Sequence, residues 1–180
     1  MKKILLALAL LISVNTFAQS DYDVSKDKEN GAVVYKGQIT FADLAKEPSF
    51  DWLKRGADAY TPDSNAIKYL KKNLPNYEIV VLMGTWCDDS QNMIPKLYKT
   101  LQLAGYPMNL YSMYGVDRAK TAKYVEHKLY KLDKVPTVIV YRNHMEVGRI
   151  VELTKKSIEK DLVNIIQPDV EKQEAAATGK

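Results

Sequence analysis

The chain has 180 residues, a single cysteine and a net charge of +4, from 26 lysines and arginines against 22 aspartates and glutamates. This near balance lacks the basic excess of nucleic-acid-binding proteins, so we expect no nucleic-acid partner. One cysteine also excludes disulfide bonds within the chain, and its stability must come from packing.

Residues 1–18 predict a cleavable export signal. Lys2 and Lys3 precede an apolar stretch from Ile4 to Val14, and the small residues Thr16 and Ala18 fit cleavage after Ala18. The apolar stretch is too short for a membrane span, which needs about 20 residues. We therefore expect a periplasmic or secreted protein whose mature chain has no transmembrane segment.

Residues 19–75 predict a polar lead-in followed by a helical extension. Residues 19–31 are polar and aperiodic, which predicts a flexible segment, and residues 32–35 favour a short strand. Three short helices follow, each preceded by a residue that can cap its first turn. The predicted caps are Thr40, Ser49, and either Asp63 or Ser64.

Residues 76–166 predict an α/β core with a mixed sheet flanked by helices, because strands and helices alternate before a hairpin and a last helix. The predicted strands cover 77–83, 107–113, 137–142 and 146–152, and the predicted helices cover 87–104, 118–130 and 155–166. Residues 167–180 are polar, and we expect a disordered tail there.

Cys87 lies where the first core strand turns into a helix. Free backbone N–H groups and the positive end of the helix dipole favour a thiolate at that position. Asp88 and Asp89 oppose this effect because adjacent negative charges disfavour a thiolate, although they also stabilise the start of the helix. The alternative is that Cys87 is a small buried hydrophobic residue, as free cysteines often are.

Residues 76–166 resemble the thioredoxin family. In that family a Trp-Cys-x-x-Cys motif is followed, five residues after the second cysteine, by a proline, and a later cis proline faces the nucleophile. Trp86, Cys87 and Pro95 match the first motif, and Val135-Pro136-Thr137 matches the second. The resemblance implies a thioredoxin-like fold in which Pro95 kinks the helix, and it implies substrate contacts from Trp86, Val135, Pro136 and Thr137.

The sequence departs from that family at two positions. Ser90 replaces the second cysteine, so no disulfide can form within the motif, which excludes the usual dithiol oxidant or reductant. Val81 occupies the position of a buried carboxylate that often assists proton transfer. Two interpretations of Ser90 stay open: it activates the Cys87 thiolate through a hydrogen bond, or it marks a domain that has lost redox turnover.

Together these features predict monothiol thiol–disulfide exchange, with Cys87 as nucleophile and Ser90 assisting. The partner would be a protein client with a thiol or disulfide, or a small-molecule thiol, and the reaction needs no cofactor. One alternative is a redox-inactive module that binds an exported partner, and a weaker one is a redox sensor that dimerises through Cys87. His127 and His144 have no further ligands at metal spacing, so we expect no metal site.

Overall fold

The computed structural model describes residues 21–179 of the chain. The signal predicted at 1–18 lies outside these residues. The described part forms a six-stranded mixed β-sheet flanked by helices, which confirms the predicted α/β fold class. None of the helices in this part combines the length and the apolar character needed to cross a membrane.

The sheet contains four core strands near the predicted positions and two more from the N-terminal extension. The strand predicted at 107–113 covers Tyr111–Gly115 instead, because residues 108–110 form a 3₁₀ turn. The strands are β1 (Tyr22–Lys26), β2 (Val33–Ile39), β3 (Glu78–Met83), β4 (Tyr111–Gly115), β5 (Thr137–Arg142) and β6 (Met145–Val151). Their order across the sheet is β1-β2-β4-β3-β5-β6. Strands β3 and β4 run parallel, whereas the other neighbouring pairs are antiparallel.

Most of the helices cover one face of the sheet. The helices of the described residues are α1 (Phe41–Lys46), α2 (Asp51–Ala59), α3 (Ser64–Asn73), α4 (Asp88–Ala104), α5 (Glu126–Leu129) and α6 (Ile158–Ala177). All except α5 supply buried side chains to the main core, where Ile79, Val81 and Met83 of β3 lie. The alternate residues Val80 and Leu82 lie in a second, smaller cluster, as the two-residue period of a strand requires.

The N-terminal extension is more ordered than the sequence predicted. Residues 21–31 are not a flexible lead-in, because β1 pairs along its whole length with β2. Tyr22 also stacks on Tyr35 with ring centroids 4.6 Å apart, and Lys123 forms an ion pair with Asp23 at 2.9 Å. The side chains of β1 are mostly exposed, so this strand lacks the apolar alternation that would have identified it.

Two of the three predicted helix caps are confirmed. Thr40 accepts a hydrogen bond from the Asp43 amide in a capping box that opens α1, and Asp63 accepts from the first amides of α3. Ser49 does not cap α2: residues 48–50 form a 3₁₀ turn, in which Ser49 donates to Glu47.

The predicted helix 118–130 is mostly irregular, and only α5 (Glu126–Leu129) is helical within it. Asp117 supplies the reason. Its carboxylate accepts hydrogen bonds from the Thr121 amide, the Thr121 hydroxyl and Lys36 of β2, which fixes a tight loop in place of a helical turn. Side chains that bond to nearby backbone amides compete with helix formation in this way.

The prediction of disorder from Gln167 is wrong for most of that segment, because α6 continues to Ala177 through Pro168. Polar contacts anchor its second half. Asp169 accepts hydrogen bonds from the Tyr77 hydroxyl at 2.8 Å and from Arg142 at 3.0 Å, both on the sheet side. Such long-range polar contacts leave no periodic signal in the sequence.

Gly56 allows α2 to pack closely on α4. A Cβ atom at Gly56 would lie 2.8 Å from Cβ of Pro95, a rigid ring that cannot move aside. We expect Gly56→Ala to lower the free energy of unfolding by about 1–3 kcal/mol, the usual cost of overpacking. In an open helix the same change would raise stability by about 1 kcal/mol. Urea denaturation therefore tests the contact by the sign of the change, and a stabilised variant would contradict it.

Candidate functional site

Cys87 lies at the junction of β3 and α4, as the sequence predicted. It is the N-cap residue of α4, with extended backbone angles (φ −97°, ψ 124°), and its side chain does not cap the helix. The thiol is partly exposed and contacts a small apolar cluster that contains Val116, Ala122 and Val135. Its Sγ atom lies 3.6 Å from the carbonyl oxygen of Val135, to which the thiol donates a hydrogen bond.

The Val135-Pro136-Thr137 segment faces this thiol, and its Val135–Pro136 peptide bond is cis. The three residues are buried, and neighbouring backbone groups hold them in place. The Thr137 hydroxyl donates to the Lys134 carbonyl at 2.6 Å, and the Glu152 amide donates to the Pro136 carbonyl at 2.7 Å. Within residues 21–179 the Val135 amide has no hydrogen-bond acceptor.

Trp86 is held on three sides. Its indole Nε1 donates to the Val116 carbonyl at 2.9 Å, and its ring lies so close to Gly84 that a Cβ there would be 2.7 Å from the indole. The guanidinium carbon of Arg118 lies 4.7 Å from the ring centroid, a cation–π distance. The indole therefore has a fixed orientation beside Cys87.

Ser90 lies inside the protein, not at the surface of the site. The residue is fully buried, and its hydroxyl accepts a hydrogen bond from the Gly84 amide at 3.2 Å. In the described part of the chain, no hydrogen bond joins Ser90 to Cys87. This hydrogen bond joins the start of the loop after β3 to the first turn of α4.

The other residues predicted on α4 lie as follows. Asp88 is exposed and Asp89 is half-buried, both in the first turn, where negative charge interacts favourably with the helix dipole. Pro95 is buried within α4, which continues on both sides of it, and packs against Gly56.

Strand β2 supports the loop that carries Trp86 and Cys87. Thr85 is fully buried, and its hydroxyl donates to the Val33 carbonyl at 2.8 Å while accepting from the Tyr35 amide at 3.2 Å. From the other side, the Gln91 amide group donates to the Thr85 carbonyl at 2.8 Å. The N-terminal extension is therefore part of the site.

Sequence reasoning missed Arg118 and its partners in the turn between β1 and β2. Arg118 Nε donates to Asp27 at 2.7 Å, and its Nη1 forms an ion pair with Glu29 at 2.9 Å. Asp27 is buried and also accepts from the Glu29 and Asn30 amides at 3.0 Å. The residues Asp27 to Gly31 are a turn signature, but nothing in the sequence links that turn to Arg118.

A cavity of about 160 Å³ lies between the first turns of α4 and the segment that follows β6. Carboxylate, ammonium, hydroxyl and apolar groups form its walls. Its lining includes Tyr60, Asp89, Lys96, Glu152, Leu153 and Ile158. Neither Cys87 nor Pro136 belongs to the lining, so the cavity is distinct from the surface that carries the thiol.

Among residues 21–179, no three histidine, cysteine, aspartate or glutamate side chains gather in an arrangement that would hold a metal ion. His127 takes part in local structure: its Nδ1 accepts a hydrogen bond from the Ala122 amide at 3.1 Å. Ala122 belongs to the apolar cluster that Cys87 contacts, so this hydrogen bond links His127 to that cluster.

No protein-family model and no curated protein matches the sequence. Two solved structures share the fold. A crystal structure of a protein of unknown function from Pseudomonas aeruginosa is 14% identical, with a TM-score of 0.52, and the match covers 73% of this chain and 99% of that one. An HIV epitope-scaffold is 15% identical, with a TM-score of 0.50, covering 71% of this chain and 82% of its own. These likenesses concern the fold alone.

We expect Asp27→Asn to destabilise the protein at neutral pH. The hydrogen bond from Arg118, with those from the Asn30 and Glu29 amides, lowers the pKa of Asp27. A lowered pKa in the folded state gives a stabilisation that is complete above the unfolded-state pKa, about 3.9, and is lost as the pH falls through the folded-state pKa.

Urea unfolding of the native protein and of Asp27→Asn, at about pH 7 and about pH 2, measures this loss. The difference in unfolding free energy between the two proteins should shrink at the lower pH. Asp133→Asn is the matched control, since Asp133 is exposed and makes no ion pair within the described residues. A difference that stays constant with pH would contradict the role of the Asp27 charge.

Proposed function

We propose that this chain is an exported protein with a thioredoxin-like fold that carries out monothiol thiol–disulfide exchange through Cys87. The observation that carries the proposal is the position of its Sγ atom. The thiol is partly exposed at the first turn of α4 and lies 3.6 Å from the backbone of the Val135-Pro136 segment. A nucleophilic sulfur needs access and a positive environment, and helix starts supply the latter.

The exchange proceeds in two balanced steps. The Cys87 thiolate attacks one sulfur of a client disulfide, a Cys87–client disulfide forms, and the other client sulfur leaves as a thiolate that takes up a proton. A second thiol, from the client or from a small molecule, then attacks the mixed disulfide and returns the Cys87 thiolate. With a thiol of the client itself, no electrons are gained or lost, and the net reaction is isomerisation.

Release must depend on an external thiol because the residue at position 90 has no sulfur. A second cysteine would attack the mixed disulfide from within the motif, whereas Ser90 is fully buried and bonded to the Gly84 amide. The proposed reaction is therefore isomerisation or the removal of small-thiol adducts. Net reduction of a client disulfide, with formation of a disulfide inside the motif, is excluded because the chain has one cysteine.

The backbone at Val135 supports binding of an extended client segment. Its amide has no acceptor within residues 21–179, and its carbonyl bonds to the Cys87 thiol. A free amide and a carbonyl beside it form a short strand edge, to which an extended peptide adds by backbone hydrogen bonds. Trp86, whose indole is held beside Cys87, offers a contact for client side chains.

One observation favours a second candidate, a binding module in which Cys87 is chemically inert. The hydrogen bond to the Val135 carbonyl is one that only the protonated thiol can donate. Under this alternative the same surface binds an exported partner without covalent chemistry. Cys87→Ser separates the two candidates, because a hydroxyl preserves the hydrogen bond and removes the nucleophile.

We expect the native protein to form a mixed disulfide with oxidised glutathione at Cys87, and to release it when a thiol is added. Intact-mass spectrometry detects the adduct, with Cys87→Ser as the matched control. The folded chain should react about threefold faster, or more, than the same chain unfolded in urea, because the start of α4 stabilises negative charge on the attacking sulfur. Equal rates in the folded and unfolded chains would favour the binding module.

We expect Ser90→Cys to gain a disulfide between positions 87 and 90 and to reduce insulin in the presence of a small dithiol. The substituted residue lies one helical turn from Cys87, the spacing at which a second thiol can attack the mixed disulfide. Ser90→Ala is the control for changes in packing, and insulin turbidity measures reduction. A folded Ser90→Cys protein that forms no disulfide under oxidising conditions would contradict the proposed orientation of Cys87.

A further inference from the structure

We infer that Arg118 is a positioning residue for the proposed exchange: the turn between β1 and β2 holds its guanidinium on Trp86, where its charge favours the Cys87 thiolate. The inference rests on the proposed function of Cys87. The inference identifies a positive charge near the thiol that does not belong to the Trp-Cys-x-x-Ser motif. It also gives the N-terminal strands a role in the site, because their connecting turn holds this charge in place.

Three contacts fix the guanidinium. It stacks on the indole of Trp86 at 4.7 Å, and two of its nitrogens bond to Asp27 at 2.7 Å and to Glu29 at 2.9 Å. Trp86 is itself held by Gly84 and by the Val116 carbonyl. Since Trp86 directly precedes Cys87 in the chain, the cation is carried to the edge of the thiol site.

The turn is built to hold this position. Asp27 uses one carboxylate oxygen for the Glu29 and Asn30 amides and the other for Arg118. Its own amide donates to the Ala32 carbonyl at 2.8 Å, and the Gly31 amide returns a bond to the Asp27 carbonyl at 3.0 Å. The carboxylate is therefore rigid, and Arg118 loses little further freedom when it binds there.

Electrostatic coupling between Arg118 and Cys87 agrees with this geometry. The hydrogen bond to Asp27 raises the pKa of Arg118 most, and the negative charges of Asp27, Glu29 and a Cys87 thiolate add to that rise against desolvation. Coupling between two charges is reciprocal. The guanidinium therefore acts on the Cys87 sulfur as the sulfur acts on the guanidinium.

Other charges act on the same thiol and set the size of the effect. From α4, Asp88 and Asp89 disfavour a thiolate. In the segments beside Pro136, Lys134 and Glu152 form an ion pair, in which their charges largely cancel. His127 lies behind Ala122 and bonds to its amide. Asp27 and Glu29 pair with Arg118 and weaken its field at the thiol, so Arg118 acts against these carboxylates as well as against Asp88 and Asp89.

The test is the alkylation rate of Cys87 with iodoacetamide, an uncharged reagent, as a function of pH. We expect Arg118→Gln to slow the reaction at neutral pH by about two- to fivefold, the range for a partly exposed charge pair. The whole rate profile should move to higher pH. Arg118→Lys keeps the charge and should retain most of the native rate. Lys71→Gln, which removes an equal charge from the exposed face of α3, should match the native protein.

Two results would overturn the inference: Arg118→Gln alkylating at the native rate, or Arg118→Lys alkylating as slowly as Arg118→Gln. If Arg118→Gln does not fold, the salt dependence of alkylation in the native protein still tests the inference. Added salt screens exposed charges, so the alkylation rate should fall if Arg118 outweighs the surrounding carboxylates. A rise would mean that Asp27, Glu29, Asp88 and Asp89 together outweigh Arg118 and would overturn the inference.

This test separates the inference from the proposed function. An alkylation rate that depends on Arg118, without any mixed disulfide in the exchange assay, would support the electrostatic role and reject the exchange. Mixed-disulfide formation at the same rate in Arg118→Gln and the native protein would support the exchange and reject the role of Arg118.

Discussion

The hydrogen bonds of Thr85 to strand β2 are the constraint on which the thiol site depends. Thr85 is fully buried and joins the loop after β3 to the backbone of Val33 and Tyr35. A buried hydroxyl without partners costs about 1–3 kcal/mol, so the loop and the strand hold each other in place. Trp86 and Cys87 follow directly in the chain, and their orientation is fixed by this attachment. Strand β2 therefore contributes to the position of the Cys87 sulfur as much as helix α4 does.

Strong local patterns predicted the parts of the fold that lie in the middle of the chain. The apolar run at β3 and the helical spacing of α4 placed Cys87 at their junction, because both signals are contained within a few turns of sequence. The fold class followed from the order of these elements. By contrast, the approach of Val135 to the thiol came only from the family resemblance, since residues 48 positions apart share no local pattern.

Three features that the sequence did not reveal depend on polar contacts between distant segments. Strand β1 is exposed and is held by its ladder with β2. The second half of α6 is anchored by Asp169 to Tyr77 and Arg142. Arg118 reaches Asp27 across 91 positions of the chain. Hydrophobic periodicity indicates which residues are buried. It therefore gives no signal where hydrogen bonds or ion pairs hold a segment in place.

Two features act in opposite directions on the Cys87 sulfur. The helix start favours negative charge there, whereas the hydrogen bond to the Val135 carbonyl uses the thiol proton. The Val135 carbonyl that accepts from the thiol also marks where a client backbone amide would donate. In the proposed exchange, binding and the release of the thiol proton are then linked through one oxygen atom, that of Val135.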